Sequence, residues 1–421
     1  MLKKSPSQKF SRRDFLKGCS VGMAALAGAR LTQVALAAEE TPHDIFVFVF
    51  LSGGWDALNV VPPIAGDDRA YYEEARPTIK IAKKSLLPLD ERFGLHPALA
   101  PLYDLYQDGD LGIVHAVGLN VDTRSHFDAT ELIELGTPET KSTTSGWLTR
   151  HLESAPYSSN GLLPAIALPA QDTSLLGYAP TVSMTTPADL AQWDNGLLAE
   201  QQAALRKLYA GGTLLHQVGE RTLDAVQVVS PLSSDEYHYR PANGAKYPDD
   251  DFGTQLNAVA QMIKLNAGLQ IATVDFGGWD THEDQNYDEG GYLGEMLESL
   301  AKGLANFYLD LDDYADRLSI VVMSEFGRRL AQNDADGTDH GHGSVMLALG
   351  KGVNGGKVYG QFPGLRNDQL YDRADLAITT DFRAVLSEVL LNRLGNPNLD
   401  LVFPDYRADS ALGLFRPQSA I

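Results

Sequence analysis

Phe46-Val47-Phe48-Val49-Phe50-Leu51-Ser52-Gly53-Gly54-Trp55-Asp56 has a near twin in Ile271-Ala272-Thr273-Val274-Asp275-Phe276-Gly277-Gly278-Trp279-Asp280. Each stretch is an apolar, β-branched and aromatic run of strand length that ends in Gly-Gly-Trp-Asp. Continuous apolar runs of this kind are buried on both faces, as in the parallel strands of an α/β sheet. The crevice beyond the carboxyl ends of such strands is where ligands bind, and glycine there lets backbone come close. The repeat therefore delivers a carboxylate twice, as Asp56 and Asp280, to a sheet's functional end.

Further runs at 111–117, 164–168, 318–323 and 345–349 join 44–51 and 269–276 as expected strands. Amphipathic patterns at 96–107, 127–135, 188–209, 253–267, 291–316 and 380–394 alternate with them as expected helices. The alternation predicts a layered α/β fold. The aspartates at 249–251 suit the positive end of the 253–267 helix, a solvated entry rather than a ligand set. The stretch 136–250 is Ser/Thr-rich in places and broken by Pro164, Pro169, Pro180 and Pro187, which predicts a large inserted, cap-like region.

Residues 1–37 read as an export signal, leaving 38–421 as the folded chain. Arg12-Arg13 precede a small-residue apolar stretch from Val21 to Ala37, and Ala35-Leu36-Ala37 forms a small-x-small cleavage site. Arg30 interrupts the apolar stretch, and what remains is too short for a stable membrane anchor. The expected destination is the periplasm or the exterior, by way of the twin-arginine translocation machinery. The signal carries seven Lys/Arg and one Asp, a net +6, so its removal takes the formal charge from −21 to −27. Such a surface disfavours nucleic acid and anionic membranes as partners. The single cysteine, Cys19, lies inside the signal, which excludes thiolate metal sites, cysteine catalysis and iron-sulfur clusters from the mature chain.

Chemistry-bearing residues gather in clusters. Asp56 stands at a strand exit, as a carboxylate ligand or as a turn cap. Asp280 and His282 are two apart, which in extended backbone sends both side chains the same way. Glu325 follows the strand at 318–323 with Arg328 close behind, placed to hold an anion or to pair with that acid. Asp339, His340 and His342 crowd a glycine-rich loop in a chain with only ten histidines. Carboxylate and imidazole together suit zinc, manganese or magnesium. Ser125, preceding a helix, is either a nucleophile activated by a metal or by His126, or simply an N-cap completed by Asp128.

The twin-arginine leader, Phe-Leu-Ser-Gly-Gly-Trp-Asp-Ala-Leu-Asn, Arg-Ser-His-Phe-Asp-Ala, Asp-Phe-Gly-Gly-Trp-Asp-Thr-His, Ser-Glu-Phe-Gly-Arg and Gly-Thr-Asp-His-Gly-His-Gly together resemble the DUF1501 family of exported bacterial proteins. That family in turn resembles the alkaline phosphatase and sulfatase superfamily. The wider resemblance implies a three-layer α/β/α fold with a mixed, mainly parallel sheet and up to two divalent ions. It implies metal ligation by Asp56, Asp280, His282, Glu325 and the late histidines His340 or His342, and a nucleophilic Ser125. Ser-Glu-Phe-Gly stands where the superfamily has Ser-Asp-His-Gly, and no Cys/Ser-x-Pro-x-Arg run of a formylglycine sulfatase is present. The expected function is hydrolysis of a small phosphate or sulfate ester, with Ser125, His126 and Arg328 catalytic. The alternative is a catalytically degenerate member of the same fold that serves in binding or assembly at the envelope.

Overall fold

The computed structural model describes residues 44–138, 142–156, 161–190, 198–229, 232, 238–285, 291–407 and 410–418. The expected export signal at 1–37 lies outside them.

Nine strands form the central sheet. In chain order they are β1 (Ile45–Phe50), β2 (Leu111–Gly118), β3 (Ala165–Leu168), β4 (Thr181–Ser183), β5 (Ile271–Asp275), β6 (Leu318–Met323), β7 (Ser344–Leu349), β8 (Lys357–Tyr359) and β9 (Thr380–Asp381). Their spatial order is β8-β2-β7-β6-β1-β5-β3-β4, with β9 also on β2. Every pairing is parallel except those of β7, which runs antiparallel to both β6 and β2. The sheet is thus mixed and mainly parallel, and the fold is α/β. The twin strands β1 and β5 are direct neighbours, with Phe46 opposite Ile271 and Phe50 opposite Asp275.

Alternation along β1 builds the two cores. Ile45, Val47 and Val49 pack into a cluster with Leu256 and Val259 of the helix Asp251–Lys264 and Leu297 and Leu300 of the helix Gly291–Asp310. Phe46, Phe48 and Phe50 face the other way, toward Ile133 of the helix His126–Leu135, Trp147, and Val385 and Val389 of the helix Phe382–Asn392. Burial on both sides explains why β1 and β6 have no polar alternation: every residue of both is buried.

Local signals set the helix ends. Asp250 caps the helix 251–264 by accepting from Gly253 N at 2.7 Å, the entry role expected of that aspartate run. Ser125 caps the helix 126–135, which ends at Gly136 in a left-handed conformation with φ 67°. The stretch 136–250 contributes β3 and β4 to the main sheet itself. A helical pair, Leu198–Tyr209 and Leu214–Val229, is tied back by Arg221, which donates to the carbonyls of Gly161 and Leu162. Among the described residues no helix is long and apolar enough to cross a membrane.

Candidate metal centre

The ends of β1 and β5 run on side by side past their last ladder bonds, with Phe276 N donating to Phe50 O at 2.8 Å and Ser52 N to Phe276 O at 3.1 Å. From there the two Gly-Gly-Trp-Asp copies part. The second sends Asp280 to the surface of the crevice; the first turns Asp56 into the interior.

Around Asp280 three imidazoles converge through the same ring atom. His282 Nε2 and His340 Nε2 each lie 3.0 Å from Asp280 Oδ1, and His126 Nε2 lies 3.3 Å from Oδ2. His340 Nε2 is also 3.0 Å from His126 Nε2 and 2.9 Å from His282 Nε2. One ligand atom each from His126, Asp280 and His340 lies within 4.8 Å of the others.

The opposite nitrogens decide the tautomers. His340 Nδ1 is 2.8 Å from the carbonyl oxygen of Arg124, which can only accept. His126 Nδ1 is 2.6 Å from Glu325 Oε1, and His282 Nδ1 is 3.4 Å from Asp339 Oδ1. With Nδ1 donating to an oxygen, each ring in its neutral form presents an Nε2 lone pair to the centre. Three lone pairs and a carboxylate at hydrogen-bond spacing repel one another unless something positive lies between them. Fixing Nδ1 on an oxygen is how proteins orient metal-binding histidines. Three imidazoles and one carboxylate are a donor set for a divalent transition ion, zinc above all. These residues fit such an ion.

Protonation follows the same geometry. The Glu325 hydrogen bond raises the His126 pKa against the opposing effect of burial. Burial lowers that of His340, with the bonds to Arg124 O and Asp280 pulling the other way. Asp280, although burial opposes its charge, is held down to about 2 by Arg328.

Glu325 is a support rather than a ligand. It is buried, and its carboxylate accepts from Gly53 N at 2.8 Å, Gly54 N at 3.1 Å and Ser324 Oγ at 2.8 Å besides His126. Arg328 is likewise consumed. Its guanidinium donates to the carbonyls of Gly53, Gly54, Trp279 and Thr338 and to Asp280 Oδ1 at 2.6 Å, so from a buried position it braces the centre.

Asp56 and His342, both expected as ligands, are placed elsewhere. Asp56 is fully buried in a two-pronged pair with Arg76, at 2.6 and 2.9 Å. His342 stacks on Tyr371, ring centres 4.0 Å apart, and burial lowers its pKa to about 4. Asp339 stands one step out, behind His282. Ser125 is an N-cap, its Oγ accepting from Asp128 N at 3.3 Å, on the residue before His126. His126, expected to activate Ser125, instead aims Nε2 at the centre; the lone histidine beside a capping serine gave no sign of a ligand role.

A sequence model of the family described as "Protein of unknown function (DUF1501)" matches residues 125–390. No curated protein matches the chain. Among solved structures, Ps i-CgsB in complex with k-i-k-neocarrahexaose is 9% identical, with TM-score 0.36 over 84% of this chain and 72% of that one. A protein in the alkaline phosphatase superfamily from Vibrio parahaemolyticus is 10% identical, with TM-score 0.29 over 83% of this chain and 71% of that one. These are loose likenesses.

Proposed function

We propose, for a chain that belongs to the DUF1501 family, an exported metal-dependent hydrolase acting on a small phosphate or sulfate ester. The observation that carries the reading is the convergence of three Nε2 atoms on Asp280, with every Nδ1 beside an oxygen. Bound among His126, His282, His340 and Asp280, a divalent cation supplies Lewis acidity, polarising an ester oxygen and making a nearby hydroxyl more acidic.

The chain's own residues supply the rest. Ser125 is the nucleophile. It adjoins His126 in sequence, and its cap bond to Asp128 N, at 3.3 Å, is long enough to give up cheaply. The amide groups that open the helix 126–135 favour an anionic group beside Ser125. Arg124, the residue before Ser125, is the guanidinium beside the nucleophile; its Nη2 pairs with Asp375 at 2.6 Å and lies 3.7 Å from Asp372, so a substrate anion would compete with these carboxylates for it. Glu325 keeps the His126 ring in place throughout, and Arg328 keeps Asp280 ionised.

The test is turnover of p-nitrophenyl phosphate and p-nitrophenyl sulfate by the full chain loaded in turn with zinc, manganese and magnesium. Turnover in wild type that falls at least 100-fold in His340→Ala, on the scale of lost metal activation, supports the reading. Equal rates in the two proteins, or none with any metal and either ester, would sink it in favour of a binding role. Ser125→Ala separates a serine nucleophile, which it abolishes, from direct attack by water, which it spares. Export is tested by Arg12→Lys, Arg13→Lys, which should leave the protein in the cytoplasm.

A further inference from the structure

Thr281 lies between Asp280 and His282, and Thr338 immediately precedes Asp339 and His340. In extended chain Thr281 points away from its neighbours Asp280 and His282, while an irregularity in the ribbon between Thr338 and His340 separates Thr338, buried, from the half-buried His340. Both threonines are buried, and they join the two ligand loops to each other: Thr338 N donates to Thr281 O at 3.0 Å.

Their hydroxyls meet on one acceptor. Gln285 Oε1 receives Thr281 Oγ1 at 3.0 Å and Thr338 Oγ1 at 2.8 Å. Its amide nitrogen donates to Asp56 Oδ2 at 2.5 Å, and Arg76 holds Asp56 from the other side. Asp56 fixes the orientation of the amide, since turning it over would set an oxygen against a carboxylate. Gln285 is fully buried and anchored through its main chain, donating to Asp336 O and accepting from Leu293 N, each at 3.0 Å.

We infer that Gln285 is a positioning residue of the metal centre, fixing the spacing between the Asp280–His282 segment and His340 through the hydroxyls of Thr281 and Thr338. The inference rests on the reading that the cluster binds a divalent ion. Asp56, the acid of the first Gly-Gly-Trp-Asp copy, then serves the centre at one remove, by orienting the amide that holds the ligand loops. Outer groups of this kind set ligand geometry, and removing them commonly costs about 10- to 100-fold in metal affinity.

The experiment is a zinc titration of the full chain against a competing chelator, with the melting temperature of each apo protein recorded alongside. Thr281→Val and Thr338→Val keep the side-chain shape and delete the hydroxyl. The double variant should bind zinc about 10- to 100-fold more weakly than wild type. Thr281→Ser, Thr338→Ser, which restores both hydroxyls, should return near the wild-type value. Asn396→Ala removes a buried amide that bonds His151 at 3.0 Å, apart from the cluster, and controls for lost stability alone. Wild-type affinity in the double valine variant overturns the inference, and so does an equal loss of affinity in Asn396→Ala. A wild-type chain that takes up no zinc overturns the metal centre itself, and this inference with it.

Discussion

The indole of Trp55 stands edge-on to that of Trp279, ring centres 5.8 Å apart and planes at 88°. The tryptophans of the two Gly-Gly-Trp-Asp copies are thus one packing unit, and the glycines before them set how closely the copies approach. Gly53 has φ 129°, and a Cβ there would come within 2.5 Å of Asp280 N and 2.7 Å of the Trp279 carbonyl carbon. Gly53→Ala should therefore destabilise the fold by about 3 kcal/mol, combining backbone strain with overpacking against main chain that cannot yield. Urea denaturation of the metal-free protein measures this; a loss under about 0.5 kcal/mol, the range of an ordinary surface change, would contradict it.

Asp56→Asn should act on stability rather than on metal content. It leaves the Arg76 guanidinium, fully buried, without its counter-charge, a situation that costs about 3–5 kcal/mol when one partner of a buried pair is removed. Thermal unfolding should reveal the loss, while elemental analysis at saturating zinc still finds the wild-type stoichiometry. A variant of wild-type stability that had lost its metal would return Asp56 to the role of ligand.

Metal removal should lower stability by mass action. An ion held only by the folded state, at 100 times its Kd, adds about 2.7 kcal/mol. The melting temperature should rise on zinc addition and fall back with chelator in wild type, and should respond to neither in His340→Ala. Identical zinc responses in both proteins would place the bound ion somewhere else.

Acid should weaken the fold through histidines outside the centre. His151 is fully buried, its Nδ1 accepting from Asn396 Nδ2, and burial drives its pKa from 6.5 to about 4. The unfolded chain takes up this proton near pH 6.5 and the folded chain only near 4. The resulting stability is complete above pH 6.5 and is lost as pH falls toward 4, at about 1.4 kcal/mol per unit. His151→Leu should flatten the stability profile of the metal-free chain between pH 7 and 4.5 relative to wild type. Parallel profiles would show that His151 is protonated in the fold.

The centre of the sheet was legible because its strands are buried on both faces. β6 spans 318–323 as the apolar run predicts, and β1 and β7 fall within a residue of expectation. The strands that no apolar run marks, β4 and β8, close the two margins of the sheet, and β9 pairs only with the tip of β2. Two or three residues paired on one side need no apolar run, so no pattern marks them. The Asp280-x-His282 pair was legible because extended backbone at that spacing puts both on one side. His340 and His342 share the same spacing but not the same direction. Between them the chain leaves the ribbon of Arg328–Gln332 and Thr338–His340 to enter β7, and His342 turns to Tyr371. Asp56 shares with Asp280 the Gly-Gly-Trp before it, and its partners Arg76 and Gln285, 20 and 229 residues on, mark it as interior. His126 needed Glu325, 199 residues away, to become a ligand-type imidazole.

The single reversed strand has a further consequence. Because β7 runs against β6, the chain between Met323 and Ser344 leaves and re-enters the sheet at the same rim. Glu325 stands near its departure and His340 near its return, so one excursion supplies both a brace and a ligand without crossing the sheet. Asp336 O near the tip of that excursion receives the main chain of Gln285, so a change of loop length there would reach the ligand loops through Gln285 while leaving the ladder of β6 and β7 in register. The fold can thus retune the spacing of the donors by changing loop length alone, with the sheet held constant.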